Sequence, residues 1–370
     1  MTQETTIEEA TGAVAWAEPH YARLWWTWDQ MHFPRPSTPY TASIECHAMS
    51  RGSSAGFQSL GARVSMLLTQ IDGYMYEAVD IIDPNFDEWM PEAQANIVPA
   101  LTGLLDRWRD EYLPEVMAIN TRLRDFDYDA ATAAELIAMI DESIAARERQ
   151  WDIHMRVVVP VTFVASELRR QWDAAFGPAR ADEPLTLMQG FANKTIEAGA
   201  ELWKLSREAL AAPAVAQVIA ETPLRRIVPL LGTTDDGRAF LRRLDAYLFE
   251  YGWRSGGFEY ADAPWIEDPC VALSTLRDYM RQPDGADPSL VTARAAAERE
   301  ALYARVAPEI DALPQGPILK MMVEFAGQYL PIQEDHNFYI DQMNTVLMRK
   351  PALAAGRRLA TADALAMPED

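Results

Sequence analysis

A glycine-rich segment with one arginine and several carboxylates is the part of this sequence best suited to chemistry. It runs from Tyr247 to Pro269, YLFEYGWRSGGFEYADAPWIEDP. Its glycines let the backbone turn sharply and approach a ligand closely. Arg254 offers five fixed donors to an oxyanion, and Glu259 could act as a base. The alternative is a turn between helices in which Arg254 pairs with Glu259 or Asp262.

A lysine lies within a mostly apolar stretch that is predicted to be helical, QGFANKTIEAGAELWKL. On a helix Asn193 and Glu197 share one face, as do Lys194 and Glu197. A lysine in such surroundings can present its charge to a phosphoryl group or to a substrate oxygen. The alternative is a surface ion pair between Lys194 and Glu197, which would contribute little to stability.

Two further segments contain histidines. The first, HFPRPSTPYTASIECHAM, begins with rigid prolines, offers Arg35 as a charged contact, and places His47 where it could face a pocket or remain structural. The second, QEDHNFYIDQMN, concentrates polar residues, among them Asp335, His336 and Tyr339, in an otherwise apolar helix. We expect the neighbouring carboxylates to favour the charged form of His336, which when neutral could accept a proton. The alternative for the second segment is an exposed polar face.

Metal and nucleotide motifs are missing from the sequence. Asp125, Asp127 and Asp129 mimic the start of a calcium loop, but Leu136 stands where the bidentate glutamate belongs. There is no HExxH, no cluster of cysteine and histidine, and no Gly-x-Ser-x-Gly turn. We therefore expect no bound metal.

Charge and composition restrict the class of protein. The 370 residues carry a formal net charge of −22, which disfavours nucleic acid and anionic membranes as partners. Cys46 and Cys270 follow no metal or redox spacing, as in a reducing compartment. The amino-terminal residues lack the apolar core of a signal peptide, and no apolar run is long enough to span a membrane. We expect a cytoplasmic protein.

The periodicity predicts a mostly all-α fold with one small β-hairpin near the amino terminus. Residues 3–31 are predicted to be helical, and residues 64–82 to form a hairpin around Asp72-Gly73. Thr132 and Glu135 have capping-box spacing, so a long helix should begin there and continue to about Trp172, with a disturbance near Pro160. Further helices are predicted at 184–211, 213–222, 235–251, 268–281, 288–310 and 315–350. Residues 1–83 and 84–370 are taken as two parts of what is expected to be one continuous domain.

Four of these segments resemble, in order, motifs of the phosphotransferases related to phosphoenolpyruvate synthase, which include rifampin phosphotransferase and phenylphosphate synthase. The family patterns are HFPRPLTPL, QGxxNKTxE, YGHR-x3-E-x-D-x3-PRW-x-EDP and REDRxFYxD. This chain departs from them at Trp253, where the pattern has histidine, and at Gln333 and His336, where it has arginine.

The resemblance covers only the helical, acceptor-binding domain of that family. It implies that this chain binds no cofactor, and that ATP and Mg²⁺ belong to a partner ATP-grasp subunit, while a partner swivelling subunit carries a phosphohistidine. The chain, expected to be a natural subunit rather than a fragment, would present the hydroxyl of a small apolar alcohol or phenol to that phosphohistidine.

The resemblance also implies roles for individual residues. Arg254 and Lys194 would compensate charge, and Glu259 or His336 would act as the base. The substrate-binding candidates are Arg35, His47, Asn193, Glu197, Trp253, Asp335 and Tyr339. This reading requires Arg254, Lys194 and His336 to converge around a hollow.

Two alternatives remain open. The departures at Trp253, Gln333 and His336 fit a non-catalytic regulatory or scaffolding subunit of the same kind of complex, whose centre would be filled. An independent helical hydrolase that uses carboxylates has no metal-ligand spacing to support it.

Overall fold

The computed structural model describes residues 16–368 and confirms a predominantly helical fold with a small antiparallel sheet. The helix predicted for residues 3–31 lies partly outside this range, and within the range it is wrong. Residues there form a short 3₁₀ turn, Pro19–Arg23, and a two-residue strand β1, Thr27–Trp28. This stretch is rich in aromatic residues, which favour strands.

The predicted hairpin is confirmed and gains a third strand. Strands β2, Val64–Ile71, and β3, Tyr74–Ile81, are antiparallel with Ile71 opposite Tyr74. Asp72 and Gly73 have φ of 51° and 85°, the left-handed values that a two-residue hairpin turn requires. Strand β1 pairs with the other edge of β3, so the order in the sheet is β1-β3-β2.

The helices make up the rest of the body. They are α1 Pro39–Ser59, α2 Phe86–Leu101, α3 Leu104–Arg107, α4 Leu113–Asp125, α5 Ala133–Phe176, α6 Glu183–Leu187, α7 Lys194–Ala211, α8 Pro213–Glu221, α9 Leu224–Leu231, α10 Asp235–Tyr251, α11 Cys270–Arg281, α12 Pro288–Asp311, α13 Gly316–His336 and α14 Met343–Thr361. Short π-helical turns, Trp108–Tyr112 and Asn337–Gln342, join α3 to α4 and α13 to α14. No helix among the described residues is long and apolar enough to cross a membrane.

Helix α5 is the central element. It begins at the predicted capping box, in which Thr132 and Glu135 bond each other's backbone amides, and it continues unbroken through Pro160. The predicted disturbance at Pro160 is therefore wrong, whereas the predicted length is nearly right. One main core cluster lies along α5 and includes Val157, Val161 and Leu168. A second core cluster fills the space between α7, α8, α9, α10 and α11.

One predicted helix is interrupted. Residues 184–211 divide into α6 and α7 because Gly190 has a φ of +77° and Asn193 caps the new helix start. A Cβ at Gly190 would lie 2.3 Å from the backbone nitrogen of Ala296, so α12 approaches this turn too closely for any side chain. The interruption places Lys194 at the first position of α7, where it reaches Glu250 at the end of α10.

Candidate functional site

The loop after α10 buries an arginine that has no counter-ion among the described residues. Arg254 is 8% exposed, and its Nε and Nη2 atoms have no hydrogen-bond partner. Its guanidinium lies 5.2 Å from the centre of the Trp265 ring and 5.1 Å from that of Phe338. Burial lowers the pKa of Arg254, yet an arginine remains protonated in proteins. The loop thus holds an uncompensated positive charge on aromatic faces.

Lys194 supplies a second cation beside the same aromatic ring. Its Nζ lies 2.8 Å from Glu250 Oε1 and 3.1 Å from Glu197 Oε1, and 5.9 Å from the centre of the Phe338 ring. Burial alone would lower the pKa of Lys194, but the hydrogen bonds to Glu250 and Glu197 outweigh it, so the pKa is raised. Lys194 is therefore charged at neutral pH.

The π-helical turn Asn337–Gln342 carries Phe338, whose ring both cations approach. A π-turn inserts one residue beyond the α-helical count, and such turns are frequent at functional sites. The Asn120 side-chain amide donates to the Tyr339 carbonyl oxygen at 2.7 Å, which fixes the turn against α4. The polar residues predicted in this segment therefore do not share one site. Asp335 and Tyr339 line a cavity, whereas His336 contacts His154.

A cavity of about 640 Å³ lies next to Lys194. Its walls come from the turn before α7, from α7 itself, from α12 and from the end of α13. It includes five of the predicted residues, which are Asn193, Lys194, Glu197, Asp335 and Tyr339. Asp335 accepts a hydrogen bond from the Lys194 backbone nitrogen at 2.8 Å, and Asn193 caps α7 by accepting from Ile196. Burial raises the pKa of Asp335.

His336 belongs to a separate buried cluster with His154 and Asp341. His154 Nδ1 lies 2.8 Å from Asp341 Oδ1, and His336 Nε2 lies 3.5 Å from Asp341 Oδ2. Burial lowers the pKa of His336 to about 4. The expectation that neighbouring carboxylates favour its charged form is therefore wrong, because desolvation outweighs them and Asp335 is bonded to Lys194 instead. Burial acts to raise the pKa of Asp341, but its contacts with His154 and His336 outweigh burial and lower it to about 2.

The structure thus brings two of the three predicted central residues to one aromatic ring. Arg254 and Lys194 both lie against Phe338, and Lys194 also lines the cavity. His336 precedes Phe338 by two residues, but its recorded ring contact is with His154, at 4.8 Å between ring centres.

Glu259 joins the loop to the start of α1. Its two oxygens accept hydrogen bonds from the Thr38 backbone nitrogen at 2.9 Å, from the hydroxyls of Thr38 and Thr41 at 2.8 and 2.6 Å, and from the Ala261 backbone nitrogen at 3.0 Å. These bonds account for the position of the carboxylate without any substrate. They also explain how the Pro-rich segment and the glycine-rich loop, far apart in sequence, are held together.

The remaining predicted residues lie away from the cavity walls. Arg35 is largely exposed and pairs with Asp262, and His47, also exposed, lies 3.5 Å from Glu148. Trp253 is buried in a core cluster, and its indole nitrogen donates to the Phe249 carbonyl oxygen at 2.6 Å. In this chain an indole thus fills the place where the family pattern has histidine.

Sequence reasoning missed two residues that the fold brings to this region. His154 lies in the middle of α5 beside Trp151 and gives no local sign of its role. Phe338 looked like ordinary core, although both cations rest on its ring. The one available signal was composition, because the chain has only five histidines and two of them meet here.

Comparisons with known proteins agree with the geometry. Residues 154–334 match the family model described as the fourth domain of rifampicin phosphotransferase. Chondramide synthase cmdD of Chondromyces crocatus is 30% identical over 359 residues, which are 94% of this chain and 9% of that protein. The uncharacterized phosphotransferase YvkC of Bacillus subtilis (strain 168) is 26% identical over 211 residues, 57% of this chain and 25% of that protein.

The chain therefore spans at most a quarter of the length of either relative. The matched region begins in α5 and ends in α13, so it includes the glycine-rich loop, Lys194 and the cavity walls that come from α7 and α12, and it stops just before Asp335 and Tyr339. Motifs, family model and helical fold together show that the chain is similar to the central helical domain of phosphoenolpyruvate synthase-like phosphotransferases.

Proposed function

We propose that this chain is the acceptor-binding part of a phosphotransferase. It binds a small, largely apolar alcohol or phenol and presents the hydroxyl to a phosphohistidine carried by another protein or domain. ATP and Mg²⁺ would act on an ATP-grasp partner, which phosphorylates the carrier histidine. The proposal rests on one observation above all, which is the buried guanidinium of Arg254 without a counter-ion.

A buried charge without a partner is expensive, so a protein retains one where a ligand supplies the opposite charge. Arg254 is planar, always charged and suited to two hydrogen bonds with phosphoryl oxygens. Its Nε and Nη2 donors are the buried atoms that have no partner. A phosphoryl group would satisfy both donors and neutralise the charge.

Lys194 connects the anion site to the cavity. It contacts the Phe338 ring, as Arg254 does, and its side chain also forms part of the cavity wall. Alanines from α7 and α12, together with Ile196, give the cavity apolar surface, while Asp335, Glu197 and Tyr339 provide a few polar groups. Such a mixture suits a compact apolar molecule with one hydroxyl.

The proposed phosphoryl transfer requires little covalent chemistry from this chain. The bond between phosphorus and the carrier's imidazole nitrogen breaks, and a bond between phosphorus and the acceptor oxygen forms. Arg254 and Lys194 stabilise the charge on the moving phosphoryl group. The hydroxyl proton passes to a carboxylate of the cavity, Asp335 or Glu197. We prefer these to Glu259, whose carboxylate accepts hydrogen bonds from Thr38 and Thr41 at the start of α1. We also prefer them to His336, which lies in the separate histidine cluster.

The names of the relatives support the reaction class. The matching family model describes a domain of rifampicin phosphotransferase, and one relative is named a phosphotransferase. The competing interpretation, a scaffolding subunit, draws on Trp253, which is packed in the core. It offers no reason for a buried Arg254 that has no counter-ion among the described residues.

Anion binding is the direct test. Inorganic phosphate or vanadate should bind one equivalent to the purified chain and raise its melting temperature. At 100 times the dissociation constant, the stabilisation is about 2.7 kcal/mol. Arg254→Met should abolish the effect. Arg35→Met, which removes an exposed arginine paired with Asp262, is the matched control and should keep it.

The acceptor is tested separately with a panel of phenols and terpenoid alcohols. Compounds that bind should stabilise the wild type and Arg254→Met alike, but not Ala200→Trp, in which an indole fills the cavity beside Lys194. Anion binding without any stabilising alcohol would reject the proposed substrate class. Failure of both experiments would favour the scaffolding interpretation.

A further inference from the structure

We propose that His154, His336 and Asp341 form a binding site for a divalent transition-metal ion, with Zn²⁺ as the reference ligand. The site lies outside the acceptor cavity and does not depend on the phosphotransferase proposal. Among the described residues these three form the one group of histidine, cysteine or carboxylate side chains close enough to share an ion.

The three side chains come from three elements that meet in the core. His154 lies in α5, His336 ends α13, and Asp341 lies in the π-turn that follows. They are 6%, 1% and 6% exposed, and one potential ligand atom from each lies within 4.8 Å of the others. Metal–nitrogen and metal–oxygen bonds of about 2.0–2.2 Å place ligand atoms roughly 3–4 Å apart. The most distant pair of ligand atoms would therefore have to approach by about 1–2 Å to complete the site.

The π-turn is what makes His336 and Asp341 neighbours. In an α-helix, residues five apart are rotated by about 140° and point in different directions. In a π-turn the residue five positions on lies close to the same side, because the hydrogen bonds span five residues. The turn therefore aligns two ligands that ordinary helical spacing would separate, and α5 provides the third.

The poorly satisfied imidazole of His336 supports a ligand at this position. The residue is 1% exposed, and among the described residues its ring nitrogens make no well-formed hydrogen bond, since Nε2 comes only to 3.5 Å from Asp341 Oδ2. A buried polar group without a partner costs about 1–3 kcal/mol. A metal ion would take up one of these nitrogens. Two imidazoles and one carboxylate are a common ligand set for zinc and for iron(II).

The surroundings fit an enclosed ion rather than a surface one. Trp151 packs on His154 with ring centres 4.8 Å apart, which helps to exclude water. Exclusion of water strengthens metal binding and fixes the ligands, and the nearby charge of Arg147, which also interacts with Asp341, is the one that a bound cation would have to tolerate. The family pattern has arginine at the position of His336, so the site is a property of this chain. A bound ion would link α5 to the π-turn that carries Phe338. It would thereby fix the position of the ring that Arg254 and Lys194 contact.

The experiment uses the purified chain after treatment with a chelator and removal of the chelator. Titration with Co²⁺ should give one equivalent of binding with visible ligand-field absorption, and Zn²⁺ should displace it. X-ray absorption of the Zn²⁺ form should show two imidazoles and oxygen in the first coordination sphere. This measurement needs no variant, so it decides the question even if the substitutions impair folding.

Two substitutions and one control localise the ion. His336→Arg, which restores the residue of the family pattern, and His154→Asn should each weaken Zn²⁺ binding at least about ten-fold. His47→Gln removes an exposed histidine that also faces a carboxylate, Glu148, and should leave binding unchanged. Stoichiometric binding that survives both core substitutions would overturn the proposal. So would the absence of a cobalt spectrum, or X-ray absorption without imidazole ligands.

Discussion

At the scale of single residues, two buried arginines show how the same side chain can serve opposite purposes. Arg147 is fully buried, and its Nε lies 2.8 Å from Glu45 Oε1. The same carboxylate also accepts bonds from Trp151 and Tyr260. Arg254 is buried nearly as deeply but lacks any such partner. Arg147 therefore stabilises the folded chain, whereas Arg254 has no counter-ion among the described residues.

This contrast predicts that replacing each arginine with methionine changes the free energy of unfolding differently. Arg147→Met should cost about 3–5 kcal/mol, because it leaves the Glu45 carboxylate buried and unpaired. Arg254→Met should leave stability unchanged or raise it by about 1–2 kcal/mol, because it removes a desolvated charge and keeps apolar contact with Trp265 and Phe338. Urea unfolding followed by circular dichroism measures both. Equal losses in the two variants would show that Arg254 is an ordinary structural residue.

His32, which follows strand β1, predicts that the free energy of unfolding depends on pH. Burial disfavours the charged His32, but its hydrogen bond to Asp29 and the charges of Asp29, Asp341 and Glu77 outweigh burial, so the pKa of His32 is raised. The folded state then holds a proton that the unfolded state releases near pH 6.5. The stabilisation is complete below that pH and is lost as the pH rises through the folded-state pKa.

We therefore expect the wild type to exceed His32→Gln in stability most at about pH 6 and progressively less towards about pH 8. Urea unfolding at a series of pH values measures the difference. Asp29→Asn removes the hydrogen-bond partner at 2.8 Å and should flatten the dependence. An advantage of the wild type that grows with pH would contradict the assignment.

Residue types alone were enough to select Arg254 and Lys194, because a cation in an apolar or glycine-rich stretch is unusual. They could not reveal that Glu259 clamps α1, since its partners Thr38 and Thr41 lie more than 200 residues earlier. The role of His154 was equally hidden, because its neighbours come from α13 and from the π-turn. The unpredictable part of the site is made of contacts between distant segments.

At the scale of elements, the close packing of α1 on α5 decides how the amino-terminal part joins the helical body. A Cβ on Gly52 would lie 2.2 Å from the Glu148 carbonyl oxygen and 2.5 Å from Trp151 Cβ. A Cβ on Gly56 would lie 2.4 Å from Met155 Cβ. The two helices therefore touch along their backbones, and residues on either side of position 83 share one interface.

This packing predicts the effect of adding a single methyl group. Gly52→Ala should destabilise the protein by about 1–3 kcal/mol, because the obstacles are backbone atoms that cannot move aside. Gly199→Ala is the matched control in α7, where the nearest atom to the new Cβ lies 3.6 Å away. The control should be neutral or about 1 kcal/mol more stable, since alanine favours helix. Thermal unfolding compares the two, and a harmless Gly52→Ala would refute the close approach.

Local signals predicted most of the elements correctly. The Asp72-Gly73 turn and the Thr132 capping box depend on neighbouring residues only, and both are present. The third strand and the π-turns were not predictable in this way. β1 is two residues long and exists because β3 offers an open edge, and a π-turn leaves no distinctive sequence pattern. To predict the break before α7, one would have to know that the backbone of α12 lies against Gly190.

At the scale of the whole molecule, the excess of negative charge acts on every element at once. The chain has 55 acidic and 33 basic residues. Many surface arginines are already paired with carboxylates at short range, for example Arg122 with Glu142 and Arg243 with Glu208. Exposed pairs contribute little individually, so the surplus of acidic groups dominates.

The balance predicts that salt stabilises the fold. Raising NaCl from about 0.01 to 0.15 M shortens the Debye length from about 30 to 8 Å. It therefore screens the long-range repulsion more than the contacts within ion pairs. We expect the melting temperature to rise by several degrees over this interval. Chloride could also bind at Arg254, so the comparison with Arg254→Met is essential. An equal rise in both proteins identifies general screening, a rise confined to the wild type identifies anion binding at the guanidinium, and a fall in both would show that the ion pairs outweigh the surplus charge.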